Sequence, residues 1–234
     1  MAKGGSEVGE VLMVWVLIKG RTHTHRCLLH RQGKMTHFPS YLGIVRTQPI
    51  IALLLGLRPL SDEAIADLHA IITEEELKRG TELLRMGQVA RSMFFIRKGL
   101  ARVYYHREEM DVTDYFAIDG QFIGAVPSLF TQQPTHKAIE LVEDSEVHRF
   151  AAKDFEACCA KHHDLENAAR RLTAFAVMQE QQRIESLRFH SAAERYALLE
   201  RTYPGITNRC PLRYIASYLN TTPVSVSRIR AGKQ

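Results

Sequence analysis

The side chains whose types and spacing point most directly to chemistry lie in PLRYIASYLNTTPVSVSRIR, Pro211 to Arg230. Val224, Ser225, Ser227, Arg228 and Arg230 are what remains of a short helix once its apolar positions are set aside. Arg can donate two bonds to a guanine edge, Ser can bond a base or a phosphate, and Val can touch a thymine methyl. That is the chemistry of reading duplex DNA without making or breaking a bond. The plainer reading, the solvated face of an ordinary helical hairpin, stays open at this point. Covalent chemistry has weaker claims. His106, His136 and His148 fall in or near strands, but with no His-x-His spacing, no placeable acid–base pair and no nucleophile motif, so no enzyme is expected. His23, His25, Cys27 and His30 are spaced like part of a metal site, yet no second half of a ligand set follows, and no metal is expected.

Two helices must position that polar face. Leu212, Ile215, Ala216 and Leu219 recur three and four apart and line one side of a first helix. Asn220 suits the left-handed backbone of a helix exit. Thr222 stands where an N-cap belongs and Pro223 at the first helical position. Val226 and Ile229 carry the buried side into the second helix, and small Ala216 sits where two steeply crossing helices would touch. The pattern is a helix-turn-helix, whose second helix enters a DNA major groove.

Charge distribution supports a basic tip. Residues 1–48 hold seven Lys/Arg and two Asp/Glu, residues 49–203 hold 19 and 24, and residues 204–234 hold five (Arg209, Arg213, Arg228, Arg230, Lys233) and none, within a net charge of +5. Phosphate contacts supply much of the affinity for DNA, so an acidic body with a basic end fits such a partner. A solvated basic tail is the alternative. The chain has 234 residues, 45% hydrophobic and 24% charged, enough for one large or two smaller cores. The four cysteines, Cys27, Cys158, Cys159 and Cys210, have no disulfide or zinc spacing, which suits a reducing cytoplasm.

The rest of the chain reads in blocks. VLMVWVLI, Val11 to Ile18, is too short to span a bilayer and has the wrong flanks for a signal peptide. Residues 1–34 are expected to be a leader, disordered or from an upstream start, ahead of a natural start at Met35. Helical spacing runs from Ser40 to Leu57, and Ser61 caps a second helix with Ile65, Leu68, Ile71 and Ile72 as its stripe. From Glu76 the period shortens to strands punctuated by Gly: around Leu77, Leu83–Leu84, Met93–Ile96, Leu100–Tyr105, Val112–Ile118, Lys137–Val142 and Glu146–Phe150. Many short strands with Gly turns predict a sandwich or a barrel-like roll, filled mostly by aromatics. A short helix spans 153–161 and a long one 164–189, whose stripe includes Leu165, Ala169, Leu172, Phe175 and Ala176. Such a stripe pairs with a second copy or packs on its own roll. Ser191 and Glu194 form a capping box ahead of the next helix.

This order, with FFIRKGLARVYY (94–105), DGQFIGAV (119–126) and YIASYLNTTPVSVSRIR (214–230), resembles the Crp–Fnr family of bacterial transcription regulators over about residues 40 to 230. The resemblance implies an α+β fold: an antiparallel β-roll of eight strands, of the double-stranded β-helix or jelly-roll kind, as sensor (35–163), a long dimerisation helix (164–189) and a small helix-turn-helix domain (190–234). It implies a cytoplasmic homodimer on near-palindromic double-stranded DNA, with RNA polymerase as a candidate further partner and no membrane. It also places a ligand pocket at the Gly-rich cassette, around Phe122, Gly124, Ala125, Val126, His136 and Lys137.

The departures matter. The family's ribose-binding Glu falls at Ala125, and its phosphate-binding Arg-Ser pair at His136-Lys137. An imidazole is mostly neutral near pH 7, and Lys lacks the two-pronged grip of Arg. Two unmade buried contacts, at about 1–3 kcal/mol each, weaken cyclic AMP by roughly 10- to 10⁴-fold. Weak or no cyclic AMP binding is therefore expected, with another small-molecule effector, a small anion or only side chains in the pocket. An iron–sulfur sensor is excluded for want of cysteines; haem stays open, with no residue nominated. At the other end only Arg228 matches a family base-reading Arg, while Pro223 and Val224 take the earlier reading positions. The hairpin wing that usually follows has no room before Gln234. Base reading is assigned to Val224, Ser225 and Arg228, backbone contact to Arg213, Thr222, Ser227 and Arg230. The rival reading is a cyclic-nucleotide-binding module that acts on a protein partner.

Overall fold

The computed structural model describes residues 48–108 and 110–232. The expected leader 1–34, its histidines, Cys27, the start of the helix expected from Ser40, and Lys233 lie outside the described residues. Two helices open the fold, α1 (Pro49–Leu57) and α2 (Asp62–Ile71). Ser61 caps α2 as its sequence predicts, its hydroxyl accepting from the Ala64 amide at 3.3 Å.

Eight strands follow: β1 (Thr73–Leu77), β2 (Glu82–Leu84), β3 (Ser92–Lys98), β4 (Leu100–Arg107), β5 (Met110–Ile118), β6 (Gln121–Ile123), β7 (Ala138–Leu141) and β8 (Ser145–Ala151). They form two antiparallel four-stranded sheets, ordered β1-β8-β3-β6 and β2-β7-β4-β5. The only strand without a counterpart in the periodicity is β6, three residues long inside the DGQFIGAV turn region. Its pairing of Phe94 with Ile123 and Phe95 with Phe122 draws the cassette onto the first sheet. A single residue, Gly99, joins β3 in one sheet to β4 in the other. Its φ is +130°, and a Cβ there would run into Ser145, so only glycine fits.

Alternation along the strands divides the apolar residues into three cores. Between the sheets lie Phe94, Ile96, Ala101, Val103, Ala117, Ile123, Ile139, Leu141 and Val147. On the outer face of the first sheet, Phe95 and Phe150 pack with α1, α2, α4 (Ala152–Lys161) and the start of the long helix α5 (His163–Phe189). On the outer side of the second sheet, Leu100, Phe116 and Ile118 pack with the C-terminal helices α6 (Ala192–Thr202), α7 (Ile206–Arg209), α8 (Leu212–Tyr218) and α9 (Pro223–Arg230). The Ser191–Glu194 capping box is present. The four-residue α7 has no counterpart in the sequence pattern. Buried Ile206 pins it, and Gly205 enters it with φ +78°.

The first part of the long helix packs on its own chain. Leu165 and Ala168 are fully buried in the first outer core, and Leu172 packs at its edge. Leu165 is therefore a core residue of its own chain, a correction to its expected place on a dimer face. Past Phe175 the helix leaves apolar side chains uncovered: Val177 is 52% exposed, Ile184 47% and Leu187 42%.

Candidate functional site

The helix-turn-helix is built as its sequence predicts. Ile215, Ala216, Leu219 and Val226 are buried together, and Ala216, 1% exposed, is small enough to let α8 and α9 cross closely. Asn220 takes φ +49° in the turn. The Thr222 hydroxyl accepts from the Ser225 amide at 3.1 Å and pairs with the Ser225 hydroxyl at 3.0 Å. Arg195 of α6 fastens the unit from behind, donating to the Leu219 carbonyl at 3.0 Å. That satisfies a C-terminal carbonyl of α8. Val224, Ser227, Arg228 and Arg230 are exposed on α9. Arg228 and Arg230 make no ion pair among the described residues. Arg213 sits on α8, its guanidinium 4.8 Å from the Tyr214 ring centroid.

One expected member of the basic tip is elsewhere. Arg209 donates to Asp119 at 2.7 Å, to Glu143 at 2.5 Å and to the Gly99 carbonyl at 2.7 Å. Its charge is spent holding α7 to the roll. Burial alone would raise the Asp119 carboxyl, but Arg209 and the Gly99 amide hold it below the usual range.

Two further ties join the roll to the helix-turn-helix, and the sequence pattern did not single out either. Arg102, in the middle of β4, is 1% exposed. It donates to Glu140 at 2.7 Å and to Asp111 at 3.0 Å, and its guanidinium lies between the rings of Tyr104 (4.0 Å) and Tyr214 of α8 (3.6 Å). The Thr113 amide of β5 donates to the Ser217 hydroxyl at 3.1 Å. The signal available was an Arg inside an apolar strand, LARVYY: a charge buried there has to be paired.

The cassette is filled from within. The turn after β6 leads through buried Ala125 into α3 (Val126–Thr131). A Cβ on Gly124 would stand 2.7 Å from the Met93 sulfur, which explains the glycine. The Tyr115 hydroxyl donates to the Gly124 carbonyl at 2.6 Å and accepts from the Gly124 amide at 3.2 Å. Burial raises its pKa to about 12, so it stays a neutral donor. Phe122 is not part of this pocket: its ring meets Phe95 edge-on at 5.0 Å and Phe150 at 6.3 Å in the outer core. Alternation along β6 sends Phe122 out and Ile123 in. His136 is exposed, its ring 6.4 Å from that of Tyr105. Val126 is 47% exposed. Lys137 turns inward and meets Asp114 at 2.5 Å.

Among the described residues, no three His, Cys, Asp or Glu side chains gather as a metal site. Burial raises the thiols of Cys159 to about 11 and Cys210 to about 12, which keeps them protonated and poor nucleophiles. Among the described residues no helix is long and apolar enough to cross a membrane. A cleft of about 530 Å³ lies away from the cassette, on the outer face of the first sheet, lined in part by Gln48, Glu74, Arg97, Glu146 and His148.

A β-roll with a Gly-turn cassette, a long helix and a helix-turn-helix together define the fold. Residues 74–162 match the cyclic nucleotide-binding domain family. Three solved structures share the wider fold. FixK2 from Bradyrhizobium japonicum is 18% identical with a TM-score of 0.57, covering 69% of this chain and 84% of that one. A putative transcriptional regulator of the Crp/Fnr family from Eubacterium rectale is 16% identical with a TM-score of 0.56, covering 74% and 83%. The c-di-GMP-responsive global regulator CLP from Xanthomonas campestris is 12% identical with a TM-score of 0.53, covering 74% and 91%. No curated protein matches the chain. The resemblance read from the sequence therefore holds at the level of domain and fold.

Proposed function

We propose that this chain is a DNA-binding transcription regulator, not an enzyme, that acts in the cytoplasm as a homodimer on near-palindromic DNA. The observation that carries the reading is α9: capped by Thr222, anchored by buried Val226, and presenting Val224, Arg228 and Arg230 to solvent. Val224, Ser225 and Arg228 read bases; Arg213, Thr222, Ser227 and Arg230 hold the phosphate backbone. Residues 35–163 act as the sensor, 164–189 as the dimer helix and 190–234 as the DNA-reading unit, with 1–34 as an extension. Ala169, Phe175 and Ala176 serve pairing together with the exposed apolar residues that follow them; Leu172 serves mainly its own core. RNA polymerase is the expected further partner.

The sensor pocket, around Gly124, Ala125, Val126, His136 and Lys137, is altered against cyclic AMP. Ala125 has no carboxylate for a ribose, His136 is turned to solvent, and Lys137 is already paired. That CLP responds to c-di-GMP supports an effector other than cyclic AMP in this fold.

The test is selection of genomic DNA fragments on the purified protein, with and without cyclic AMP, at two salt concentrations. A two-fold symmetric enriched site, unchanged by cyclic AMP, is the expected result. Saturable nucleotide binding with no enriched site would favour a module that acts on a protein partner instead.

A further inference from the structure

Strand β5 carries one residue more than its partner at the middle of the ladder. Val103 pairs with Tyr115 and Tyr104 with Thr113, leaving Asp114 unpaired between them. Such a bulge re-aims the extra side chain. The Asp114 carboxylate is 12% exposed and meets two cations from separate elements. Lys137, ahead of β7, donates to Oδ2 at 2.5 Å. Arg183, about three-quarters of the way along the long helix, donates to Oδ1 at 3.1 Å and to the Asp114 carbonyl at 3.0 Å. Glu180 accepts from Nε and Nη2 of Arg183. The next residue, Tyr115, holds both backbone groups of Gly124 in the cassette.

An ammonium and a guanidinium on the two oxygens of one group are contacts that suit a phosphate or carboxylate. In this chain the anion between them is its own.

We infer that the Asp114 carboxylate is a tethered occupant of an anion site formed by Lys137 and Arg183, which a small phosphate-bearing ligand fills only by displacing it. The inference rests on the reading of the cassette region as a ligand pocket. A tethered group competes at an effective concentration on the order of millimolar. The ligand's apparent affinity falls by the fraction of molecules in which Asp114 has let go. Displacement also moves Arg183 from a carboxylate of the roll to the ligand, so occupancy reaches the long helix through one ion pair.

The full chain and its Asp114→Asn variant would be titrated by calorimetry with cyclic AMP and, separately, with inorganic phosphate. Asp114→Ser is carried alongside in case the amide folds poorly. The expected result is a gain in affinity of about tenfold or more, the scale of one charge-assisted contact regained. The gain should be lost again in Asp114→Asn with Lys137→Ala. A gain for phosphate but not for cyclic AMP supports the anion site and removes the nucleotide reading of the pocket. No gain for either probe, in variants that melt cooperatively, overturns the inference and leaves the nucleotide reading to its own test.

Discussion

The Arg102 guanidinium of the roll lies 3.6 Å from the ring centroid of Tyr214 in the helix-turn-helix. One buried cation thus joins the roll to the helix-turn-helix. Its geometry is determined on the other side by Glu140 and Asp111. Arg102→Ala should destabilise the fold by about 3–5 kcal/mol, because Glu140 keeps its charge in a largely buried place without a partner. Tyr214→Leu, which retains apolar bulk, should cost about 2 kcal/mol, the scale of a desolvated cation–π contact. Urea unfolding of both variants and the double variant measures the coupling. Strictly additive losses would mean the stack is not a joint.

Much of this arrangement was legible beforehand, for stateable reasons. The helix-turn-helix, the Ser61 and Thr222 caps and the Ser191–Glu194 box were readable because caps and apolar spacing are local signals. Seven of the eight strands were readable from alternation and Gly turns. Strand β6 was not, because three residues carry no period; its position comes from pairing with β3. The site was less legible than the fold. Phe122 and Leu165 are apolar residues whose types fit a pocket or a dimer seam equally well as a core, and only packing separates them. Asp114, Arg183, Arg102 and Arg209 were missed because their roles are contacts across 9 to 110 residues of sequence.

Arg209 and Arg228 are both arginines of the C-terminal tip, and they should behave differently. Arg228→Ala should lower specific DNA affinity by about 1–3 kcal/mol and relax the site at one position. Arg230→Ala should weaken all sequences alike and reduce the salt slope by about one. Arg209→Ala should leave the salt slope nearly unchanged, since Asp119 and Glu143 already neutralise it. It should lower the unfolding midpoint instead. Fluorescence anisotropy over a salt series, beside a melt of each variant, reads all three. An Arg209→Ala slope reduced as much as that of Arg230→Ala would put Arg209 back in the DNA footprint.

The exposed apolar residues on the second half of the long helix are where the proposed dimer would pair. Val177 and Ile184 are seven residues apart and Leu187 three further on, spacing that a paired helix would bury. Ile184→Asp should convert a dimer to a monomer in light scattering after size exclusion. Because Ile184 is 47% exposed in one chain, the monomer should keep its own melting transition. A dimer that persists unchanged would send the interface elsewhere.

Acid should act on the roll through His148 before it acts on the carboxylates. His148 is 1% exposed, and neither of its ring nitrogens has a hydrogen-bond partner among the described residues. Burial lowers its pKa below the ordinary 6.5, and Arg97 adds to this, while Glu74, 3.6 Å away, works against it. A depressed folded pKa means that the unfolded chain takes up the proton first. Stability is therefore full above about pH 6.5 and is lost as pH falls through the lower folded value. Asp119 and Asp164, whose folded values lie below 3.8, begin to matter only in stronger acid. His148→Phe removes the imidazole and should flatten the dependence just below about pH 6.5, while leaving the later acid loss in place. Denaturant midpoints at half-unit pH steps would show it. Parallel curves for wild type and variant across that window would mean that Glu74 closes on the imidazolium and offsets the burial cost.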